Sequence, residues 1–183
     1  LEFRRVLFRS EYESAKARGA KIYAELSGVG WSADAYHITA PDEHADGASR
    51  SIAGAIEDAK ILSTEVDYIN AHGTSTPFND KTESAAISSL FGDHAQNLYV
   101  SSTKSMVGHS LGASGALEAA ACVKAIENNM IPPTINYTTP DPECPLNYVP
   151  NKAIEKDVNV TMSNSFGFGG HNGVIVIKQW NQA

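Results

Sequence analysis

The run LGASGALEAAACVKAIEN, residues 111–128, is the feature that most constrains what this chain can fold into. Its spacing predicts a helix, and glycine, alanine, serine and cysteine fill most of it. Small side chains allow a helix to come close to its neighbour, as is known from membrane helices. This helix must therefore pack at short range against another element.

Strands and helices alternate through the rest of the chain. Apolar and polar residues alternate in residues 21–31, which predicts a strand. Further strands are predicted at 66–70, 98–102, 158–164 and 173–178, and helices at 11–20, 48–60 and 81–90. Residues 131–150 hold six of the eight prolines and are expected to form an extended connector. The alternation predicts an α/β fold with a mixed sheet, although such a layered sheet normally has more strands, so the chain is expected to be part of a larger fold.

Composition excludes several classes of function. The 183 residues suffice for one domain, and no apolar run is long enough to span a membrane. The net charge of −7 argues against nucleic acid as a partner. Two cysteines form neither metal-ligand spacing nor a disulfide framework. With no secretory signal, we expect a cytoplasmic protein.

The first ten residues, LEFRRVLFRS, differ from the rest, because three arginines stand against the single acid Glu2. They could be a targeting sequence, the end of a truncated native helix, or a non-native join. A transit peptide would be longer and richer in serine. The codons CTC TTC CGA TCT encode LFRS and resemble the end of a sequencing-library adaptor. Our hypothesis is that residues 1–10 are non-native and that the native chain starts near Glu11, which sequencing of the source locus would test.

Three short motifs carry candidate site residues. INAHGTSTPFND (69–80) contains His72, and a histidine in a loop is usually just a solvated side chain. SSTKSMVGHSLGASGALE (101–118) contains Lys104 and His109, and a helix start at His109 would favour the neutral imidazole. NSFGFGG (164–170) sets two phenylalanines among three glycines, where phenylalanine is more often a core residue than a gate. Each motif alone is a weak signal.

In this order, the motifs closely resemble the C-terminal half of the elongating β-ketoacyl-acyl-carrier-protein synthases, the type II enzymes in particular. AKARGAKIYAE (15–25) and DAYHIT (34–39) resemble the same enzymes, so the resemblance covers essentially all of Glu11–Lys178. It implies a thiolase-like α/β fold with a mixed five-stranded sheet and helices on both faces. Residues 11–183 would form the C-terminal half of this ketosynthase, the N-terminal half would be missing, and the full-length enzyme would be a discrete bacterial homodimer.

The resemblance implies a decarboxylative Claisen condensation of an acyl thioester with malonyl-acyl carrier protein in fatty-acid elongation. Loss of CO2 places negative charge on the thioester oxygen, which needs preorganised hydrogen-bond donors. A pair of imidazoles supplies N–H donors at neutral pH. By motif match His72 and His109 are that pair, and Lys104 stabilises the site electrostatically.

The resemblance also implies roles in substrate binding. Thr74 and Thr76 match positions that hold the phosphopantetheine arm, which arrives on the acyl carrier protein, so no bound organic cofactor is expected. Phe168 matches the gating phenylalanine, and Gly167, Gly169 and Gly170 would supply its hinge. The loop Asp34–Thr39 matches a second moving loop. The family further implies a possible monovalent-cation site at Asn70, Glu118, Ser163 and Asn164, of which Glu118 also matches a glutamate beside the lysine.

The nucleophilic cysteine of the family lies upstream of the matched region. Cys122, inside the small-residue helix, indicates packing, and Cys144 matches no nucleophile motif. We therefore expect this chain alone to be inactive in condensation. The acyl carrier protein partner is acidic, and only Lys16, Arg18 and Lys21 cluster as a basic patch.

Three alternatives remain. A non-catalytic partner subunit like the chain-length factors would lack the cysteine, but His72, His109 and Lys104 argue against it. A metal-binding domain is disfavoured because the six histidines contain no i, i+4 pair. A thiolase proper uses one histidine with a second cysteine, and the final glycine motif has no cysteine.

Overall fold

The structure is a computed structural model that describes residues 10–181. Apart from Ser10, the segment that we interpret as non-native lies outside the described residues, so that hypothesis stays open. The helices are α1 (Tyr12–Ala17), α2 (Asp46–Asp58), α3 (Pro77–Phe91), α4 (Lys104–Val107) and α5 (Ser114–Asn128). The strands are β1 (Ala24–Ala33), β2 (Tyr68–Asn70), β3 (Tyr99–Ser101), β4 (Met130–Ile131), β5 (Ile154–Glu155), β6 (Val160–Gly167) and β7 (His171–Gln179).

Five strands form one mixed sheet in the order β1-β7-β6-β2-β3. β2 is parallel to both β3 and β6, whereas β7 is antiparallel to both β6 and β1. β4 and β5 form a separate antiparallel pair. The predicted mixed five-stranded sheet is confirmed. Within residues 10–181, none of the helices combines the length and apolar character needed to cross a membrane.

Helices cover both faces of the sheet, as the family resemblance implies. Successive side chains of a strand point to opposite faces. Val174 and Val176 of β7 accordingly join the core beneath α2 and α3, whereas Ile175 and Ile177 face α5. α2 packs very close to β1, because a Cβ added to Gly28 of β1 would lie 2.5 Å from the main-chain carbonyl oxygen of Ala55 in α2.

The small-residue helix α5 packs as predicted along one side only. Cys122, Ala125 and Ile126 are buried in the core that α5 shares with Tyr68 of β2. On its first turns Gly115, Ala116 and Leu117 are instead exposed. The small residues thus allow α5 to pack closely on the side that faces the sheet, whereas the other side of its first turns is exposed.

Several element boundaries differ from the sequence prediction. α3 begins at Pro77, four residues before the predicted start, because proline suits the first helical turn. Residues Leu111–Ala113 form a separate 3-10 turn, so α5 begins only at Ser114. The predicted connector is largely irregular and runs along β3, where the Val100 N–H donates to the Asn147 carbonyl at 2.8 Å.

Candidate active site

Two parallel neighbouring strands deliver the candidate residues to one end of the sheet. β2 ends at Asn70, two residues before His72, and β3 ends at Ser101, three residues before Lys104. Parallel strands end at the same sheet edge, where sites of open α/β sheets commonly lie. The rings of His72 and His109 lie edge to face there, with their centroids 5.6 Å apart. The structure therefore brings the two motif histidines together.

The main chain of the His72 loop is held by a carboxylate that the sequence analysis missed. The N–H groups of His72 and Gly73 each donate to Glu83 at 2.9 Å. Glu83 lies on the buried side of α3 with Ala86 and Ile87. Glu83 precedes Ala86 and Ile87 by three and four residues, the spacing of one helix face. This pattern could have predicted from the sequence that Glu83 is buried.

The His72 imidazole is buried, with 8% of its residue surface exposed. Burial, and next the positive charge of Lys104, lower the pKa of His72 to about 3. Among the described residues its Nδ1 has no hydrogen-bond partner. The ring is therefore neutral near pH 7 and carries one N–H available as a donor.

His109 is held in one tautomer by its own loop. Its Nδ1 accepts the Leu111 N–H at 3.2 Å and lies 3.1 Å from the Ser114 hydroxyl oxygen. A ring nitrogen that accepts a main-chain N–H carries no proton, so the proton is on Nε2. The predicted position of His109 at a helix start is wrong, because the 3-10 turn separates it from α5. Local hydrogen bonding, rather than the end of a helix, therefore sets the tautomer of this ring.

Lys104 is buried and forms an ion pair with Glu118 of α5, as the motif match implied. The Ser165 hydroxyl lies within 3.5 Å of the second oxygen of that carboxylate. The ammonium is thus fixed behind the histidines rather than solvated. Its electrostatic role in catalysis stays a prediction.

The histidines open into a cavity of about 850 Å³ that Phe168 and His171 also line. Phe168 is 78% exposed, whereas Phe166 packs against the core and lies 5.9 Å from the His72 ring. Of the two phenylalanines, the candidate gating residue Phe168 is therefore the one that does not pack in the core. Whether Phe168 moves stays a prediction.

The glycine motif and the loop Asp34–Thr39 are joined. The Gly169 N–H donates to the Ile38 carbonyl at 2.7 Å, and the Asp34 N–H donates to the Gly170 carbonyl at 2.9 Å. Gly169 and Gly170 have φ values of +81° and +72°, which favour glycine. Gly167 lies in β6 and has no positive φ. The predicted hinge thus has its conformational freedom at the second and third glycines.

Thr74 and Thr76 lie at the outer side of the His72 loop, with their hydroxyl oxygens 2.9 Å apart. Thr76 is exposed and Thr74 half-buried, so both hydroxyls remain near solvent. Their role in holding a carrier arm stays a prediction. Cys122 is buried, and burial raises the pKa of its thiol to about 12, which agrees with a packing role.

The four residues proposed for a cation do not form one cluster of side chains. The Asn70 amide contacts Thr103, and Glu118 pairs with Lys104. The Asn164 amide instead donates to Glu83, on the opposite face of the sheet from α5. No group of three or more His, Cys, Asp or Glu side chains in the described part of the chain is placed to hold a metal. The Asn164 side chain thus lies on the other face of the sheet from Glu118, and the cation site at Asn70, Glu118, Ser163 and Asn164 stays an untested prediction.

Comparison with known proteins agrees with this arrangement. Residues 23–138 match the family described as beta-ketoacyl synthase, C-terminal domain. This chain belongs to the β-ketoacyl synthase family. It is 55% identical over 175 residues to the 3-oxoacyl-[acyl-carrier-protein] synthase 2 of Synechocystis sp., a match that covers 96% of this chain and 42% of that protein. This β-ketoacyl synthase chain thus spans less than half the length of its curated relative.

Solved structures show the same family fold. A type II polyketide ketosynthase, solved in complex with its acyl-carrier protein, is 42% identical with a TM-score of 0.91, covering 94% of this chain and 42% of the other. The ishigamide ketosynthase/chain length factor is 50% identical with a TM-score of 0.88, covering 92% of this chain and 41% of the other. The thiolase-like fold is therefore confirmed for this member of the β-ketoacyl synthases.

Proposed function

We propose that this chain supplies the decarboxylation half of a type II β-ketoacyl-acyl-carrier-protein synthase that elongates fatty acids. The observation that carries the proposal is the pairing of His72 and His109, two imidazoles whose ring centroids lie 5.6 Å apart beside one cavity. Neutral imidazoles are hydrogen-bond donors that do not repel each other as two cations would.

In the proposed reaction, the bond between the carboxylate carbon and the α-carbon of a malonyl thioester breaks. CO2 leaves, and the electron pair forms an enolate with its negative charge on the thioester oxygen. The N–H groups of His72 and His109 donate to that oxygen, where a preorganised donor contributes about 2.7–4 kcal/mol. The enolate carbon then attacks the acyl thioester of a cysteine, which leaves as the thiolate. This nucleophile is proposed to belong to an upstream part of the full-length protein.

We further propose acyl- and malonyl-loaded acyl carrier protein as partners and a homodimer as the full-length assembly. The ketosynthase solved with its acyl-carrier protein supports the first of these by analogy. Thr74 and Thr76 would hold the phosphopantetheine arm, since hydroxyls both donate and accept hydrogen bonds. Phe168 would gate entry of the acyl chain.

A non-catalytic partner subunit is the second candidate, because one similar structure includes a chain length factor. Such a subunit has no need for two adjacent histidines backed by a buried Lys104–Glu118 pair. Burying an ion pair costs desolvation free energy. A functional role in the site would explain why Lys104 and Glu118 are buried as a pair. The enzyme interpretation is therefore preferred.

The test uses the complete protein, made by joining residues 11–183 to the upstream part of the native gene. CO2 release from malonyl-acyl carrier protein is measured for the wild type, His72→Ala, His109→Ala and the control His44→Ala, which alters an exposed histidine. We expect the two site variants to lose about 100-fold or more of the rate, and the control to match the wild type. Unaltered CO2 release in both site variants would refute the proposed function.

A further inference from the structure

The proline-rich connector holds the turn that carries Lys104 at both of its ends. The N–H of Ser102, the first residue after β3, donates to the Thr134 hydroxyl oxygen of the connector at 3.0 Å. At the other end of the turn, the Ser105 hydroxyl oxygen accepts the Ile135 N–H at 3.0 Å and donates to the Ser102 carbonyl at 2.7 Å. Lys104 therefore lies between two attachments to neighbouring connector residues.

The connector is itself well held at this point. The Thr134 N–H donates to the carbonyl of the buried Val149 at 3.0 Å, and the Asn151 N–H donates to the Thr134 carbonyl at 2.9 Å. The side chain of Asn151 closes the loop in between, because its oxygen accepts the Tyr137 N–H at 3.0 Å and its nitrogen donates to the Tyr137 carbonyl at 2.7 Å. Thr134 is thus attached to the fold through both of its main-chain polar groups, while its hydroxyl oxygen holds Ser102.

The turn held by the connector leads directly to the candidate site residues. α4 begins at Lys104 and ends two residues before His109, so the direction of the turn sets where α4 places the His109 ring. The Ser102 hydroxyl in turn donates to the carbonyl of Gly73, the residue after His72. Ser102 therefore links the connector, the turn of Lys104 and the loop of His72.

We propose that Thr134 is a positioning residue whose hydroxyl oxygen sets the placement of His109 relative to His72. The inference rests on the proposed function, because it needs both imidazoles to donate to one thioester oxygen. Two donors serve one oxygen only when each lies about 2.7–3.1 Å from it. A shift of the turn at Ser102 moves His109 relative to His72, and a displacement of about 1 Å can cost about 100-fold in rate. Other described residues line the cavity, so Thr134 acts through Ser102 and not on the substrate.

Thr134→Val in the complete protein is the decisive variant. Valine has nearly the shape of threonine but no acceptor, so the N–H of the buried Ser102 loses its partner. We expect kcat for CO2 release from malonyl-acyl carrier protein to fall about 10-fold per folded molecule, with KM changed less than about twofold. Thr134→Ser keeps the hydroxyl oxygen and should restore kcat to within about twofold of the wild type. Thr138→Val, the same substitution at an exposed position of the connector, is the matched control and should equal the wild type.

The folded fraction of each variant is measured by circular dichroism, so that a loss of stability is not counted as a loss of kcat. If Thr134→Val does not fold, Ser105→Ala takes its place, because it removes the second attachment of the same turn. The same fall in kcat at an unchanged KM is expected for Ser105→Ala, and a wild-type kcat in that variant would overturn the inference.

His109→Ala is measured in parallel, so that the two hypotheses fail separately. If His109→Ala slows CO2 release and Thr134→Val keeps the wild-type kcat per folded molecule, the positioning role is wrong and the proposed function stands. If neither variant slows CO2 release, the role of His109 in the proposed function is wrong as well. If Thr134→Ser is as slow as Thr134→Val, the hydroxyl oxygen is not the group that positions the turn, and the inference is overturned.

Discussion

The Ser102 hydroxyl donates to the Gly73 carbonyl at 2.7 Å, which ties the segment that carries Lys104 and His109 to the loop that carries His72. The two segments lie on parallel neighbouring strands but 29 residues apart in sequence. With Glu83 binding the N–H of Gly73 from the other side, this one glycine is held at both of its main-chain polar groups.

Gly73→Ala should destabilise the protein. Gly73 has a φ of +42°, which an alanine adopts only with backbone strain, and an added Cβ would lie 2.5 Å from Cβ of Ser102. The alanine variant would therefore be strained both in its backbone and in this contact. We expect a loss of about 1–3 kcal/mol in the free energy of unfolding, measured by urea denaturation of the complete protein. Gly112→Ala is the control, because an added Cβ there meets nothing within 4 Å. Equal stability of the two variants would contradict the strain argument.

Lys104→Met should cost far more stability than its loss of charge suggests, because Glu118 would be left buried without a cation. We expect a loss of about 3–5 kcal/mol, and recovery of most of it in the double variant Lys104→Met with Glu118→Leu. The exposed pair Lys124–Glu127 is the control, where Lys124→Met should cost less than about 1 kcal/mol. Denaturation midpoints of all four proteins check this, and a double variant as unstable as the single one would count against it.

Stability should fall on acidification because of His72. Its pKa is about 3 in the folded protein and about 6.5 when unfolded. Between these values the unfolded state binds a proton that the folded state does not, so the free energy of unfolding decreases as the pH falls from about 6.5 toward 3. The contribution is about 1.4 kcal/mol per pH unit. The variant His72→Gln should lack this pH-dependent part of the free energy of unfolding. Unfolding curves recorded from pH 4 to 7 would detect the difference. His44→Gln, at an exposed histidine, controls for the loss of one imidazole.

Cys122 should resist alkylation in the folded protein. It is fully buried, and its pKa of about 12 leaves little thiolate at pH 8. Cys144 is only partly buried, so iodoacetamide should label it first, although burial raises the pKa of its thiol too. Peptide mass spectrometry distinguishes the two cysteines. Labelling of Cys122 ahead of Cys144 without unfolding would contradict the packing role.

The sequence predicted the strands and helices well where the hydrophobic periodicity and the turn residues gave strong signals. The five strands of the sheet were predicted from the residue pattern, the helices on both faces from the family resemblance, and His72, His109 and Lys104 from the motifs. Boundaries at α3 and α5 were missed, because Pro77 and the 3-10 turn at Leu111–Ala113 act through local main-chain geometry. Glu83 was missed for a different reason: its spacing with Ala86 and Ile87 could have indicated burial, but only the tertiary packing brings it to the His72 loop.

The proline-rich connector also limits the addition of further strands to the sheet. β3 is an edge strand, and an open edge can pair with a strand of another molecule. The hydrogen bond from Val100 to Asn147 and the bridge between Tyr99 and Asn147 place the connector against that edge. Because prolines cannot donate a main-chain hydrogen bond, the connector is itself a poor template for further strands. It thereby protects the β3 edge of the sheet from pairing with another molecule.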